Sequence, residues 1–419
     1  MKILRVINSM NPASGGPCQG IRNSIPELEK LCVQNEVVCL DDPKATFLGG
    51  DTFPVYALGP GKGPWQYASK LMPWLLRNLA KYDVVIVHGL WQYHSYATHK
   101  AIRLLKKRYQ SPILPKIFIM PHGMLDPYFQ RAPERRLKAL RNIIYWKLIE
   151  REVVNEATGV LFTCDSELLL ARIPFRPYKP KQEVNVGYGV ADPPPYDFAM
   201  RNAFLKKCEA LYNQHYILFL GRIHRKKGVD ILIDAYEKAV SELMKGGEYV
   251  IGKSGGLVEL ERVAQHSPYL PKLVIAGPGL ETAFGKEIKM RVCESQVLMQ
   301  NVFFPGMLTG NAKWGAFYGC DAFVLPSHQE NFGIAVVEAL ACCKPILISK
   351  EINIWREIEV RGGAIVAEDT LSGTHKMLMA WEKLPPDRKI NMSIQARRAY
   401  EDLFSIRQAA VDLKKAVLA

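Results

Sequence analysis

Twice along this chain of 419 residues, short and wholly apolar runs alternate with segments of helical periodicity. Between the two series stands Ala191-Asp192-Pro193-Pro194-Pro195-Tyr196. An apolar run without polar alternation reads as a strand buried on both faces, which calls for parallel pairing with helices on either side. The first series has runs at 2–8, 36–40, 83–88, 116–121 and 159–163. The second has them at 216–223, 272–278, 301–306, 322–326, 345–349 and 363–368. Three successive prolines fix φ and remove amide donors, so neither a helix nor a central strand continues across them. The pattern therefore predicts two doubly wound α/β domains, 1–190 and 191–404, with a terminal helix, 405–419, returning to pack on the first.

Composition narrows the class. With 48% hydrophobic and 23% charged residues the chain suits globular domains, and no apolar run approaches the roughly 20 residues of a bilayer span. The opening MKILRVINSM is too short an apolar run for a signal peptide, which predicts a cytoplasmic protein. Nine cysteines, an odd count with no CxxC pair, read as reduced core residues. The 55 bases exceed the 41 acids, giving a net charge of +14 that favours an anionic partner: nucleic acid, a membrane surface or a phosphorylated substrate. The bases concentrate at 100–108 and between Arg131 and Arg151. The segment 65–82, with Trp65, Trp74, Leu71 and Leu75 among Lys70, Arg77 and Lys81, has the composition of an interfacial helix, but Pro73 argues against one continuous helix and a core helix with an acceptor-binding rim fits equally well.

Gly247 to Ser254 satisfies GxxxxGKS, the phosphate loop of P-loop NTPases, with Lys253 as its cation. Its context is wrong, because a helical pattern precedes it where a strand is required. GxGxxG is absent. The informative pair is Glu330 and Glu338, in HQENFGIAVVEAL after the strand AFVLP. The helix starting at Ile334 places free amides of Ile334 and Ala335 and a positive dipole end at the strand's carboxyl edge, an anion site. Gly221-Arg222-Ile223-His224-Arg225-Lys226-Lys227-Gly228 follows another strand, and Arg222 and Lys227 suit phosphate oxygens. In the first domain, Gly15-Gly16 turns after the first strand, while His88 and His122 end later strands where an imidazole can donate to a hydroxyl.

Taken together, Glu330-x7-Glu338, Gly221-Arg222-x4-Lys227-Gly228, Pro121-His122-Gly123 and the Gly15-Gly16 turn resemble the retaining, GT-B-fold glycosyltransferases of family four, the group 1 glycosyltransferases. The resemblance covers nearly the whole chain. It implies two Rossmann-like domains facing across a cleft, the second holding a nucleotide-sugar donor and the first a saccharide or lipid-linked saccharide acceptor. It further implies that Arg222 and Lys227, with the amides of Ile334 and Ala335, hold the donor diphosphate and that Gly16 lets a loop close onto it. Glu338 would bind the ribose. Glu330 with Asn331, Phe332 and Gly333 would bind the donor sugar, and His122 its 6-hydroxyl or the charge developing near the anomeric carbon. The family often carries Pro-Asn-Gly-Val-Asp at the hinge, where this chain has Gly187-Tyr188-Gly189-Val190-Ala191-Asp192.

No Asp-x-Asp occurs, so no metal is expected to clamp the diphosphate, and Arg222, Lys227 and His122 with Glu330 form the expected catalytic set. No cofactor beyond the donor substrate is expected, with a UDP-sugar, UDP-glucose first, as the donor and surface or exopolysaccharide assembly as the pathway. The expected partners are that donor, the acceptor and an anionic membrane surface, but not nucleic acid. The competing readings are the NTPase, a basic nucleic-acid binder, and a phosphorylase, for which no pyridoxal lysine can be placed.

Overall fold

The computed structural model describes residues 1–108, 114–131, 135–248 and 270–419. The chain divides into two compact units, Met1–Ala191 with Leu403–Ala419, and Asp192–Asp402.

Unit 1 is built on a seven-stranded sheet of β1 (Lys2–Ile7), β2 (Gln34–Cys39), β3 (Val55–Ala57), β4 (Val84–His88), β5 (Lys116–Met120), β6 (Gly159–Phe162) and β7 (Glu183–Asn185). The spatial order is β3-β2-β1-β4-β5-β6-β7 and every pairing is parallel. Alternation along β1 explains the unbroken apolar runs. Leu4 and Val6 join a core with Val85, Val87, Leu75 and Trp146 on one face. Ile3 joins Val84, Ile86 and Phe118 on the other, where the last helix, Ile406–Leu418, contributes Ala410, Leu413 and Val417.

Unit 2 carries a six-stranded sheet of β8 (Tyr216–Leu220), β9 (Lys272–Ala276), β10 (Val302–Gly306), β11 (Ala322–Leu325), β12 (Ile346–Ser349) and β13 (Ala364–Ala367), ordered β10-β9-β8-β11-β12-β13. It too is parallel throughout. In each sheet the order reverses beside the first strand, between β1 and β4 and between β8 and β11. Loops leaving those strands diverge, which makes the carboxyl edge at that point the place for a ligand.

Three elements escape the sequence pattern. β3 and β7 are three-residue strands on the sheet edges, with no fully buried residue to mark them. Parallel pairing of β12 with β13 demands a crossover, supplied by the six-residue helix Trp355–Val360, in which only Ile358 is buried. Of the two readings of the segment 65–82, the structure takes the core helix. Its helix, Leu71–Asn78, buries Leu71 and Leu75, and Trp65 and Trp74 pack against the same core, so its apolar side faces inward.

The last helix fills unit 1 with few side chains, so deleting one has a measurable cost. Leu413→Ala should destabilise unit 1 by about 2–4 kcal/mol in denaturant unfolding, the cost of an unfilled core cavity.

Candidate functional site

In unit 2 the loops after β8 and β11 meet, because those strands are neighbours in the sheet. Beyond β8, a single 3-10 turn, Arg225–Lys227, ends at Gly228 with φ 66°. A β-carbon at Gly228 would collide with the Pro326 carbonyl, so only glycine fits there. The Lys226 carbonyl accepts from the His328 amide (2.8 Å) and the Ser327 hydroxyl (2.9 Å). Behind them the Ser349 hydroxyl donates to the Ser327 carbonyl (2.5 Å). Glu330 is pinned on its main chain, accepting from Asn353 N (3.0 Å) and donating to the Glu351 carbonyl (2.9 Å).

This stitching brings Lys227 Nζ onto Glu330 Oε2 as an ion pair. Desolvation above all, then the charges of Lys226 and Arg222, lower the Lys227 ammonium to about 7. Arg222 itself stays exposed. The helix Ile334–Ala341 begins at Gly333, whose φ of 80° turns the chain sharply, and no side chain caps it. The Gly333 carbonyl takes the amides of Val336 (2.9 Å) and Val337 (3.2 Å), so those of Ile334 and Ala335 remain for a ligand. Asn331 and Phe332 form the approach to this helix, with Phe332 buried and Asn331 Oδ1 3.4 Å from Asn353 Nδ2. Glu338 lies one turn inside and is no solvated helix residue: Lys313 donates to it at 2.6 Å. Burial raises its carboxyl, and the Lys313 charge opposes that.

In unit 1 the switch-point edge carries histidines. His122, just past β5 with a left-handed φ of 53°, sets Nε2 2.9 Å from Nδ1 of His88 at the end of β4. Below them on the same sheet face is Arg5, 1% exposed, bonded to Asn35 (3.1 Å) with its Nη2 unpartnered. Desolvation lowers the guanidinium to about 9, still protonated at neutral pH. His88 Nε2 is buried without a partner too. In the contact between the two rings one nitrogen donates and the other accepts, as the tautomers dictate. Burial, then the Arg5 charge, brings His122 down to about 3, so it works as a neutral imidazole. Gly16 opens the helix Gly16–Lys30, and the Tyr188 hydroxyl donates to its carbonyl. The positive φ, 89°, belongs to Gly15, so the turn's freedom sits one residue earlier than the sequence reading placed it.

A family model for glycosyl transferases group 1 matches residues 202–397, and one for a glycosyl transferase 4-like domain matches residues 15–183. The chain belongs to the group 1 glycosyltransferase family. It is 26% identical over 197 residues to O-antigen chain mannosyltransferase C of Escherichia coli, spanning 46% of this chain and 43% of that protein. The chain thus spans less than half the length of the first curated relatives it matches. Sucrose-phosphate synthase of Thermosynechococcus elongatus superposes with a TM-score of 0.68 at 16% identity, covering 99% of this chain and 98% of that one. HepE of Anabaena, in complex with UDP and glucose, gives 0.68 at 15%, covering 100% and 99%. Such identities establish the GT-B fold and no more.

In this glycosyltransferase the sequence had not pointed to Lys313 or Arg5. Lys313 sits in the helix Gly310–Gly319 and becomes a partner of Glu338 only through tertiary packing. Arg5 was legible as one base inside the apolar run KILRVI, a misfit that a buried strand tolerates only for a reason. The NTPase motif falls mostly outside the described residues, Lys253 and Ser254 included; Gly247 and Glu248 end the helix Val229–Glu248, where a phosphate loop would need a strand. His99, Glu152 and Glu156 lie close enough together to hold a cation, but His99 bonds Glu156 (2.9 Å) and Arg103 bonds Glu152 (2.7 Å).

Burial also lowers His94 to about 4 and takes His88 well below its ordinary value. The unfolded chain therefore binds protons that the folded one refuses, and stability falls as pH drops below about 6.5. The slope should be about 1.4 kcal/mol per pH unit for each such histidine between about 6.5 and 4. Thermal melting across that range checks it, and NMR should show His122 untitrated down to pH 5.

Proposed function

We propose that this chain transfers a hexosyl unit from a nucleoside-diphosphate sugar to a hydroxyl of a saccharide or lipid-linked saccharide, with retention at the anomeric carbon. The observation that carries this reading is the meeting of Lys227, Glu330 and the uncapped Ile334–Ala341 helix at one edge, with Arg222 beside them. Two cations and two free amides converge on the place where a diphosphate would leave, and the charge that develops there is negative. Glu338, oriented by Lys313, offers an acceptor to vicinal ribose hydroxyls. Glu330 commits one oxygen to Lys227 and keeps the other for a sugar hydroxyl. In unit 1, His122 and His88 offer neutral imidazoles to a hydroxyl-bearing ligand.

Retention follows if the acceptor oxygen approaches on the face that the diphosphate is leaving. The C–O bond to phosphate breaks through an oxocarbenium-like state, the new C–O bond forms on that face, and a departing phosphate oxygen takes the acceptor's proton. No protein base is required by this sequence of events. UDP is the preferred carrier, which the solved HepE complexes with UDP and with UDP-glucose support. Glucose and mannose are the leading sugars, mannose because two curated relatives are mannosyltransferases of O-antigen and lipopolysaccharide core. Those names also support a place in surface polysaccharide assembly.

Lys227→Ala and Arg222→Ala should each cost at least about 10²-fold in turnover, the usual effect of deleting a charge-stabilising donor. Unchanged turnover in either variant refutes the site. UDP should raise the melting temperature of the wild type without added metal and fail to do so in Lys227→Ala. Activity should survive a chelator; complete loss restored by manganese would overturn the metal-free reading.

The lowered ammonium of Lys227 gives a pH signature. A bound diphosphate favours the charged form, so above pH 7 binding must take up a proton and affinity falls, by up to about tenfold per pH unit. Calorimetry of UDP-glucose in two buffers of different ionisation enthalpy reads that uptake directly. Lys227→Arg, charged at every pH, should lose the dependence.

A further inference from the structure

The helix Arg136–Tyr145 and the π-helical turn Trp146–Glu150 that continues it form one surface element of unit 1. A surface helix ordinarily turns its apolar stripe inward and its polar residues to water. This one buries Ala139, Asn142, Trp146 and Glu150, at intervals of three and four residues. On the opposite face, at the same intervals, it exposes Leu137, Leu140, Ile144 and Leu148, with Ile143 alongside. Leu137 is 85% exposed and Leu148 74%, values that no stable monomer surface gains from.

The other exposed residues of the element, Arg136, Lys138, Arg141 and Lys147, are all bases. Its one acid, Glu150, is buried. The neighbouring helix Tyr93–Arg108, which packs on the π-helical turn, ends with Leu104 and the exposed bases Lys106, Lys107 and Arg108. A second copy docking symmetrically through this face would set bases against bases. An anionic bilayer suits both components: aliphatic tips enter the acyl boundary while flanking bases meet phosphates. No helix among the described residues is long and apolar enough to cross a membrane, so contact would be from one side.

We propose that residues 136–148 are a docking face for a bilayer containing anionic phospholipid. It rests on exposed side chains alone and holds whether or not the transfer chemistry above is right.

Sedimentation with vesicles of phosphatidylcholine, with and without phosphatidylglycerol, tests it in the absence of donor and acceptor. The full chain should pellet with phosphatidylglycerol vesicles at low salt and partition at least about tenfold less onto phosphatidylcholine alone or at high salt. Leu137→Ser with Leu148→Ser should weaken binding by at least about tenfold, with melting temperature and UDP binding unchanged. Wild-type protein left in the supernatant with phosphatidylglycerol would overturn the proposal. So would undiminished pelleting of the double variant, or a lipid-free dimer that the same substitutions dissolve.

Discussion

A lysine and a carboxylate drawn together out of water organise the edge of unit 2. Lys227 loses hydration and has Lys226 and Arg222 for neighbours, so everything but Glu330 works to neutralise it. Such a pair forms only if two loops 103 residues apart are held rigidly. The loops are held by main chain rather than by flexible side chains: the Lys226 carbonyl, the Gly228 contact with Pro326, and the short ladder from Glu330 to Asn353. What remains is positive charge in excess of its one carboxylate, fixed in place before any ligand arrives. A preorganised site stabilises developing negative charge without reorganising for it.

Unit 1 solves the same positional problem with neutral groups. Its edge histidines are kept uncharged by burial and by Arg5 beneath them, so they can direct hydrogen bonds but offer no net charge. Arg5 therefore acts at a distance, its charge adding to burial in lowering the basicity of both rings.

Most of the fold was legible because parallel strands buried on both faces announce themselves as apolar runs, and β1, β4, β8 and β11 did so. The loops that follow them were legible for a related reason: residues at the carboxyl edge break the apolar pattern with glycines, bases and acids. β3, β7 and the helix Trp355–Val360 were not, since they are short and bury too little to shape the sequence. Partners set by packing were likewise hidden. Glu338 was legible as half of the Glu330-x7-Glu338 pair, but only the fold shows Lys313 against it. The segment 65–82 stayed ambiguous in the sequence because composition gives the residues of an amphipathic helix without saying which side meets the core. Leu71 and Leu75 face in, whereas the equally apolar Leu137 and Leu148 face out.

The opposite side of the helix that carries that outward row reaches the loop after β4. Glu150 accepts from the Trp91 amide at 2.7 Å and the Ser95 hydroxyl at 2.9 Å. Trp91 lies three residues beyond β4 and is held at a φ of 70°, a conformation that needs outside support in a residue with a large side chain. Trp146, on the same inward face, stacks on Phe175, which also meets the Trp91 ring. Burial lifts the Glu150 carboxyl to about 7, and Ser95 and Trp91 work against that rise. The bond to Trp91 is therefore strongest when the carboxylate is ionised, above neutrality. One helix thus presents aliphatic side chains to its surroundings and, a few residues on, fixes the loop beside His88.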